Sequence, residues 1–130
     1  MLQDFLGHRV LIVDDDPFIR SVMVAMLEDT GLNLDEAPDG SSAVALCRQT
    51  CYSLILIDMV MPGMTGVEAT LQIRQLPGME RTPILAITGN SSDKDRSNCL
   101  QAGMNDFVSK PISREALAAM VLRWLRRSPS

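Results

Sequence analysis

The stretch Leu54-Ile-Leu-Ile-Asp58-Met-Val-Met-Pro-Gly-Met-Thr-Gly66 begins with four aliphatic residues and meets a carboxylate at Asp58. It then breaks into a loop around Pro62 and Gly66. A short, uninterrupted apolar run bounded by turn residues reads as a strand buried on both faces. Thr65 and Glu68 follow at capping-box spacing and start a helix. The same grammar recurs on either side. Val10-Leu-Ile-Val13 ends at Asp14 and Asp15. Asp16-Pro17 then supplies an N-cap and a first-turn proline for a helix with Ile19, Val22, Met23, Met26 and Leu27 on one face, stopped by Gly31. Leu32–Ala37 alternates weakly as a second strand, and Asp39-Gly40 opens a helix whose inner face carries Ala43, Leu46 and Cys47. Pro77-Gly78 closes the third helix, and Pro83–Ile87 is the fourth strand. Ser91–Ala102 is a fourth helix stopped at Gly103. Phe107–Ser109 is the fifth strand, and Ser113 caps a last helix with Leu117, Met120, Val121, Trp124 and Leu125 facing inward.

Five strand–helix alternations predict a (βα)₅ α/β domain in three layers, a parallel sheet with helices on both faces. The predicted domain runs over residues 9–126, with a lead-in at 1–8 and a disordered tail at 127–130. At 130 residues the chain suits one domain with a real core. Apolar residues make up 46% and aromatics 4%, so nine methionines share the packing. A net charge of −4 argues against nonspecific nucleic-acid binding. Cys47, Cys51 and Cys99 have no metal-ligand spacing and read as reduced thiols. No apolar run approaches the ~20 residues of a membrane span. A cytoplasmic protein without signal peptide or membrane contact is therefore expected.

Ligands of open α/β sheets bind beyond the carboxyl ends of the strands. Asp14, Asp15 and Asp58 all sit there, and Lys110 follows the fifth strand. Three carboxylates and one ammonium in one crevice are unfavourable unless a cation neutralises them. The set suits a hard divalent ion such as Mg²⁺ or Mn²⁺, with Lys110 meeting an anion that the ion also binds. Asp16 reads as a cap only. His8, the single histidine, precedes the first strand and reads as a surface residue, so no phosphodonor histidine is present. The arginines at 123, 126 and 127 suit the helix dipole at the last helix end.

Four motifs cover the strand ends: Val13-Asp-Asp15, Asp58-Met-x-Met-Pro-x-Met-x-Gly66, Ile87-Thr-Gly89 and Lys110-Pro111. Through them the chain resembles the receiver domain of two-component response regulators. The resemblance implies a flavodoxin-like (CheY-like) strand order 2-1-3-4-5. It implies Asp58 as phosphoacceptor, with Thr88 and Lys110 each contacting a phosphoryl oxygen. It implies Mg²⁺ on Asp15, Asp58 and the Val60 carbonyl, with Asp14 holding a metal-bound water. It implies a cis Lys110–Pro111 peptide, and Phe107 as a switch aromatic coupled to Thr88. The donor would be a histidine kinase or a histidine phosphotransfer domain, and a homodimer is allowed. Such a domain would catalyse only its own phosphorylation and dephosphorylation.

Two other classes fit less well. An aspartate-nucleophile phosphohydrolase would use Asp14-x-Asp16, but Pro17 and Phe18 follow where Thr or Val belongs at the second position, and no late acid pair exists. A flavodoxin would need a hydroxyl-rich phosphate loop where this chain has three aspartates. Ile73-Arg-x-Leu-Pro-Gly78 and Cys99-Leu-x-Ala-Gly-Met-Asn-Asp-Phe107 look most like receivers of hybrid sensor histidine kinases. A stand-alone response regulator is the alternative.

Overall fold

Five parallel strands form one sheet in the order β2-β1-β3-β4-β5 in the computed structural model, which describes residues 7–89 and 93–127. They are β1 (Arg9–Val13), β2 (Asn33–Ala37), β3 (Leu54–Asp58), β4 (Ile84–Thr88) and β5 (Asp106–Ser109). The helices are α1 (Pro17–Leu27), α2 (Gly40–Gln49), α3 (Gly66–Arg74), α4 (Asp93–Gln101) and α5 (Arg114–Arg127). Residues 1–6 of the expected lead-in and 128–130 of the expected tail lie outside the described residues, as do Ser91 and Ser92 of the expected fourth helix.

Alternation along the strands sorts the core into two layers. Leu11, Val13, Ile55, Ile57, Ile84 and Ala86 pack with residues of α2, α3 and α4. Val10, Ile12, Leu54, Leu56, Leu85 and Ile87 pack with Met23 and Leu27 of α1 and Leu117, Val121 and Leu125 of α5. The continuous apolar runs of β1, β3 and β4 follow from this, because both faces of a central parallel strand are dry. β2 lies at the sheet edge and is mostly polar for the same reason.

The helix starts are local. Asp16 accepts from the Phe18 amide at 2.9 Å and Asp39 from the Ser42 amide at 2.7 Å. Thr65 and Glu68 complete a reciprocal capping box at α3. Ser113 accepts from the Ala116 amide at 3.1 Å. At the end of α4, Gly103 takes φ +99°, and Met104 donates to the Cys99 carbonyl at 3.0 Å.

Several expectations are corrected. β2 starts at Asn33, and β4 includes Thr88. The buried stripe of α2 is Ala43, Val44 and Cys47, and Leu46 only flanks it. α3 ends at Arg74, ahead of Pro77, where Gln75 and Leu76 close the last turn by donating to the carbonyls of Gln72 at 3.1 Å and Ile73 at 3.0 Å, and the Arg74 guanidinium donates to the carbonyls of Met79 at 2.9 Å and Thr82 at 2.6 Å. The chain turns back directly beneath that side chain. Leu100 of α4 is 61% exposed, while Cys99 is buried. His8 is half-buried, its Nδ1 3.1 Å from the Ser53 hydroxyl, where β1 and β3 begin side by side.

Candidate functional site

Two strand ends bring the acids together, and a third adds the lysine. Asp14 follows β1, and its amide donates to the Ala37 carbonyl at 3.2 Å. Asp58 closes β3, in register with Ile87 of β4. The loop after it is tied down by Met59 donating to the Ile87 carbonyl and Gly66 donating to the Met59 carbonyl, both at 3.1 Å. Gly66 has a reason to be glycine. A Cβ there would lie 2.5 Å from the Asp58 carbonyl oxygen and 2.9 Å from Met59 Cα. Only a bare backbone lets the start of α3 approach the phosphoacceptor candidate this closely.

Carboxylate oxygens of Asp14, Asp15 and Asp58 all lie within 4.8 Å of one another. Lys110 Nζ stands 3.7 Å from Asp58 Oδ1 and 3.9 Å from Asp14 Oδ2, between the two. Its amide donates to the Thr88 carbonyl at 2.8 Å, and the Lys110–Pro111 peptide is cis. The ammonium thus faces the acids at ion-pair range without a direct hydrogen bond to either. Asp14 and Asp58 are buried and Asp15 is exposed. Asp14 Oδ1 accepts from the Asp16 amide at 2.9 Å, but the buried Oδ2 has no hydrogen-bond partner. Asp58 Oδ1 accepts from the Val60 amide at 3.3 Å.

These surroundings push both buried carboxyls above their usual range. For Asp58 the largest cause is burial, followed by the charge of Asp14. For Asp14 it is again burial, opposed by the Asp16 amide and by Lys110. An unpartnered buried carboxylate oxygen, two further carboxylates and one ammonium make a hard-oxygen set short of positive charge. That set can hold a divalent cation of the Mg²⁺ type.

Thr88 and Phe107 share a face of the sheet. β5 pairs Phe107 with Ala86 and Ser109 with Thr88, so the two residues are diagonal neighbours on the α4 side. Thr88 is buried at the end of β4. Phe107 is half-buried, and the Arg96 guanidinium of α4 sits over its ring at 4.6 Å from the centroid. Gly89 lies in open space. The structure thus brings Asp14, Asp15, Asp58 and Lys110 together, sets Thr88 at the end of β4, and leaves Phe107 two residues back along β5. Arg20, Arg74 and Arg96 were missed. Arg20 meets a backbone carbonyl and Glu36, Arg74 meets backbone carbonyls and Asn105, and Arg96 meets an aromatic ring, all pairings that no sequence motif marks.

Residues 10–122 match the response regulator receiver domain. The chain belongs to this family. Receiver domains serve two-component signalling, and the relatives include receivers of hybrid sensor kinases. The histidine-protein kinase BarA of Escherichia coli is 36% identical over 92% of this chain. The sensor protein GacS of Pseudomonas syringae is 38% identical over 89% of it. The chain spans about 13% of the length of each. A 14.6 kDa uncharacterised protein of Leptolyngbya boryana is 34% identical over 98% of both chains. Among solved structures, the receiver domain of sensor histidine kinase PA1611 from Pseudomonas aeruginosa superposes with a TM-score of 0.86 at 39% identity, covering 92% of this chain and 98% of that one. That structure has a magnesium ion coordinated in its active-site cleft. The chemotaxis regulator CheY4 of Vibrio cholerae gives 0.86 at 31% identity, covering 89% of this chain and 97% of that one. Among the described residues, no helix of this receiver domain is long and apolar enough to cross a membrane.

Proposed function

We propose that this receiver domain accepts a phosphoryl group on Asp58 from a phosphohistidine and changes conformation in response. The carrying observation is the packing of three carboxylates within 4.8 Å, with Lys110 Nζ 3.7 Å from Asp58. Mg²⁺ or Mn²⁺ would be held by Asp15, Asp58 and the Val60 carbonyl, with Asp14 reaching it through a water. When bound, the ion supplies positive charge that neutralises the acids and the incoming phosphoryl oxygens. An Asp58 carboxylate oxygen attacks phosphorus, the bond from phosphorus to the donor imidazole breaks, and the imidazole leaves and takes up a proton. Lys110 meets one phosphoryl oxygen as an ammonium donor, and the Thr88 hydroxyl meets another. The domain catalyses its own phosphorylation and dephosphorylation and turns over no separate substrate.

The donor is a histidine kinase or a histidine phosphotransfer domain. Phe18 at 70% exposure, shortly after the Asp14–Asp15 pair in the chain, and Val60 at 80%, two residues after Asp58, offer apolar contact. The likeness to BarA and GacS receivers favours a place within a hybrid histidine kinase. The Leptolyngbya boryana relative, matched end to end, favours a stand-alone regulator as the second reading.

Incubation with acetyl phosphate and Mg²⁺, followed by intact mass, tests the assignment. One phosphoryl increment should appear in the wild type and vanish in Asp58→Ala or in excess chelator. Persistent labelling of Asp58→Ala would refute it.

A further inference from the structure

The carbonyl of Asp14 lies just past the last paired residue of β1, where the ladder offers it no partner. Arg20 of α1 supplies one. Its Nη1 donates to the Asp14 carbonyl at 2.7 Å. Its Nε donates to Glu36 Oε1 of β2 at 3.2 Å. The Arg20 side chain is 17% exposed and its Glu36 partner 47%, so the arm to the Asp14 carbonyl is shielded while the arm to Glu36 faces water. The carbonyl of Asp14 and the amide nitrogen of Asp15 belong to one planar peptide unit. Pinning the carbonyl therefore sets the direction in which the chain enters Asp15.

Asp14 is then held at three points: its amide by Ala37, its carbonyl by Arg20 and its Oδ1 by the Asp16 amide. Three carboxylates within 4.8 Å repel one another and would spread if the backbone after β1 could turn. We infer that Arg20, braced by Glu36, is a positioning residue that holds the Asp14–Asp15 peptide so that both carboxylates can act with Asp58 on one cation. This rests on the acid cluster being a divalent-cation site, as proposed above. The guanidinium meets a backbone carbonyl and not a carboxylate of the cluster, so its contribution is geometric. Groups that orient metal ligands are commonly worth about 10- to 100-fold in metal affinity.

The test is a Mg²⁺ titration of the wild type, Arg20→Met and Arg20→Lys at a temperature where circular dichroism shows each folded. The amide shift of Asp16, which donates to Asp14 Oδ1, reports binding. Arg20→Met should bind Mg²⁺ about 10-fold more weakly than the wild type. Arg20→Lys keeps the charge but cannot form the planar fork, so it should weaken binding to a similar degree. Should Arg20→Met fail to fold, Arg20→Lys alone carries the comparison. A residue that merely staples α1 to the sheet would lower the melting temperature and leave Mg²⁺ affinity unchanged. That result would overturn the inference, as would full recovery of affinity in Arg20→Lys. Failure of the wild type itself to bind Mg²⁺ would refute the cation site and this inference with it. Intact wild-type binding with an indifferent Arg20→Met would refute the inference alone.

Discussion

Replacing Asp14 by Asn removes one charge from the buried end of the acid cluster and nearly preserves its shape. The Asn oxygen can still accept from the Asp16 amide, as Oδ1 does at 2.9 Å. At the 4.8 Å limit of the cluster, the Asp14–Asp58 repulsion is about 3–4 kcal/mol at an effective dielectric of about 20. Lys110 at 3.9 Å offsets this by about 4 kcal/mol on the same scale. Lys110 is shared with Asp58 at 3.7 Å, however, and pairs with it fully once Asp14 is neutral. Burial of Asp14 with Oδ2 unpartnered, together with repulsion from Asp15, then decides the sign. In chelator, Asp14→Asn should be more stable by about 1–2 kcal/mol. That corresponds to a melting temperature roughly 3–6 °C higher. The pH dependence follows from the raised carboxyls. A carboxyl raised above its ordinary 3.8 contributes stability that is fully present below that value and lost as pH rises through the folded-state value. The advantage of the variant should therefore be full at neutral pH and disappear as pH falls toward 3.8. Thermal melts by circular dichroism across that range measure it. Added Mg²⁺ should raise the wild-type melting temperature by mass action and raise that of Asp14→Asn less. If Asp14→Asn melts below the wild type in chelator at neutral pH, the electrostatic account of the cluster is wrong.

Gly66→Ala forces a Cβ against the Asp58 carbonyl and Met59 Cα, so it should cost about 1–3 kcal/mol by urea unfolding and slow Asp58 labelling. A neutral outcome would mean that the loop moves aside freely. Arg96→Ala removes the cation over Phe107, worth about 0.5–1 kcal/mol at an exposed site, and should speed amide exchange in α4 while leaving α5 unchanged. Unaltered exchange in α4 would show that the contact does not hold the helix. Beryllofluoride, standing in for the phosphoryl group, should shift amides across α4 and around Phe107. Thr88→Ala should bind it yet lose most of those shifts. Equal shifts in both proteins would separate Thr88 from the switch.

Much of the site was legible because its residues are marked by what precedes them. Asp58 follows Leu54–Ile57, and Asp14 follows Val10–Val13. A strand dry on both faces must be apolar throughout, so a charge ends it, and the charges of a parallel sheet gather at one edge. The caps at Asp16, Asp39, Thr65 and Ser113 were legible because the backbone donors they satisfy lie two or three residues away. Finer packing was not. Val44 and Leu46 are both apolar residues of one helix, and only the seat of α2 on the sheet decides that Val44 is buried while Leu46 flanks it. His8 finds Ser53 only because β1 and β3 start together.

The arginines mark the boundary between the two kinds of information. Local chain chemistry determined the alternation of elements, the helix starts and the identity of the acids and the lysine. Tertiary structure alone decided that Arg20 reaches the Asp14 carbonyl and Glu36, that Arg74 crosses to Gly103 and Asn105, and that Arg96 covers Phe107. A guanidinium can serve any carbonyl, and every residue carries one. Its choice is set by which chain segments the fold brings within its length, and that is a property of the assembled sheet and not of the neighbouring residues.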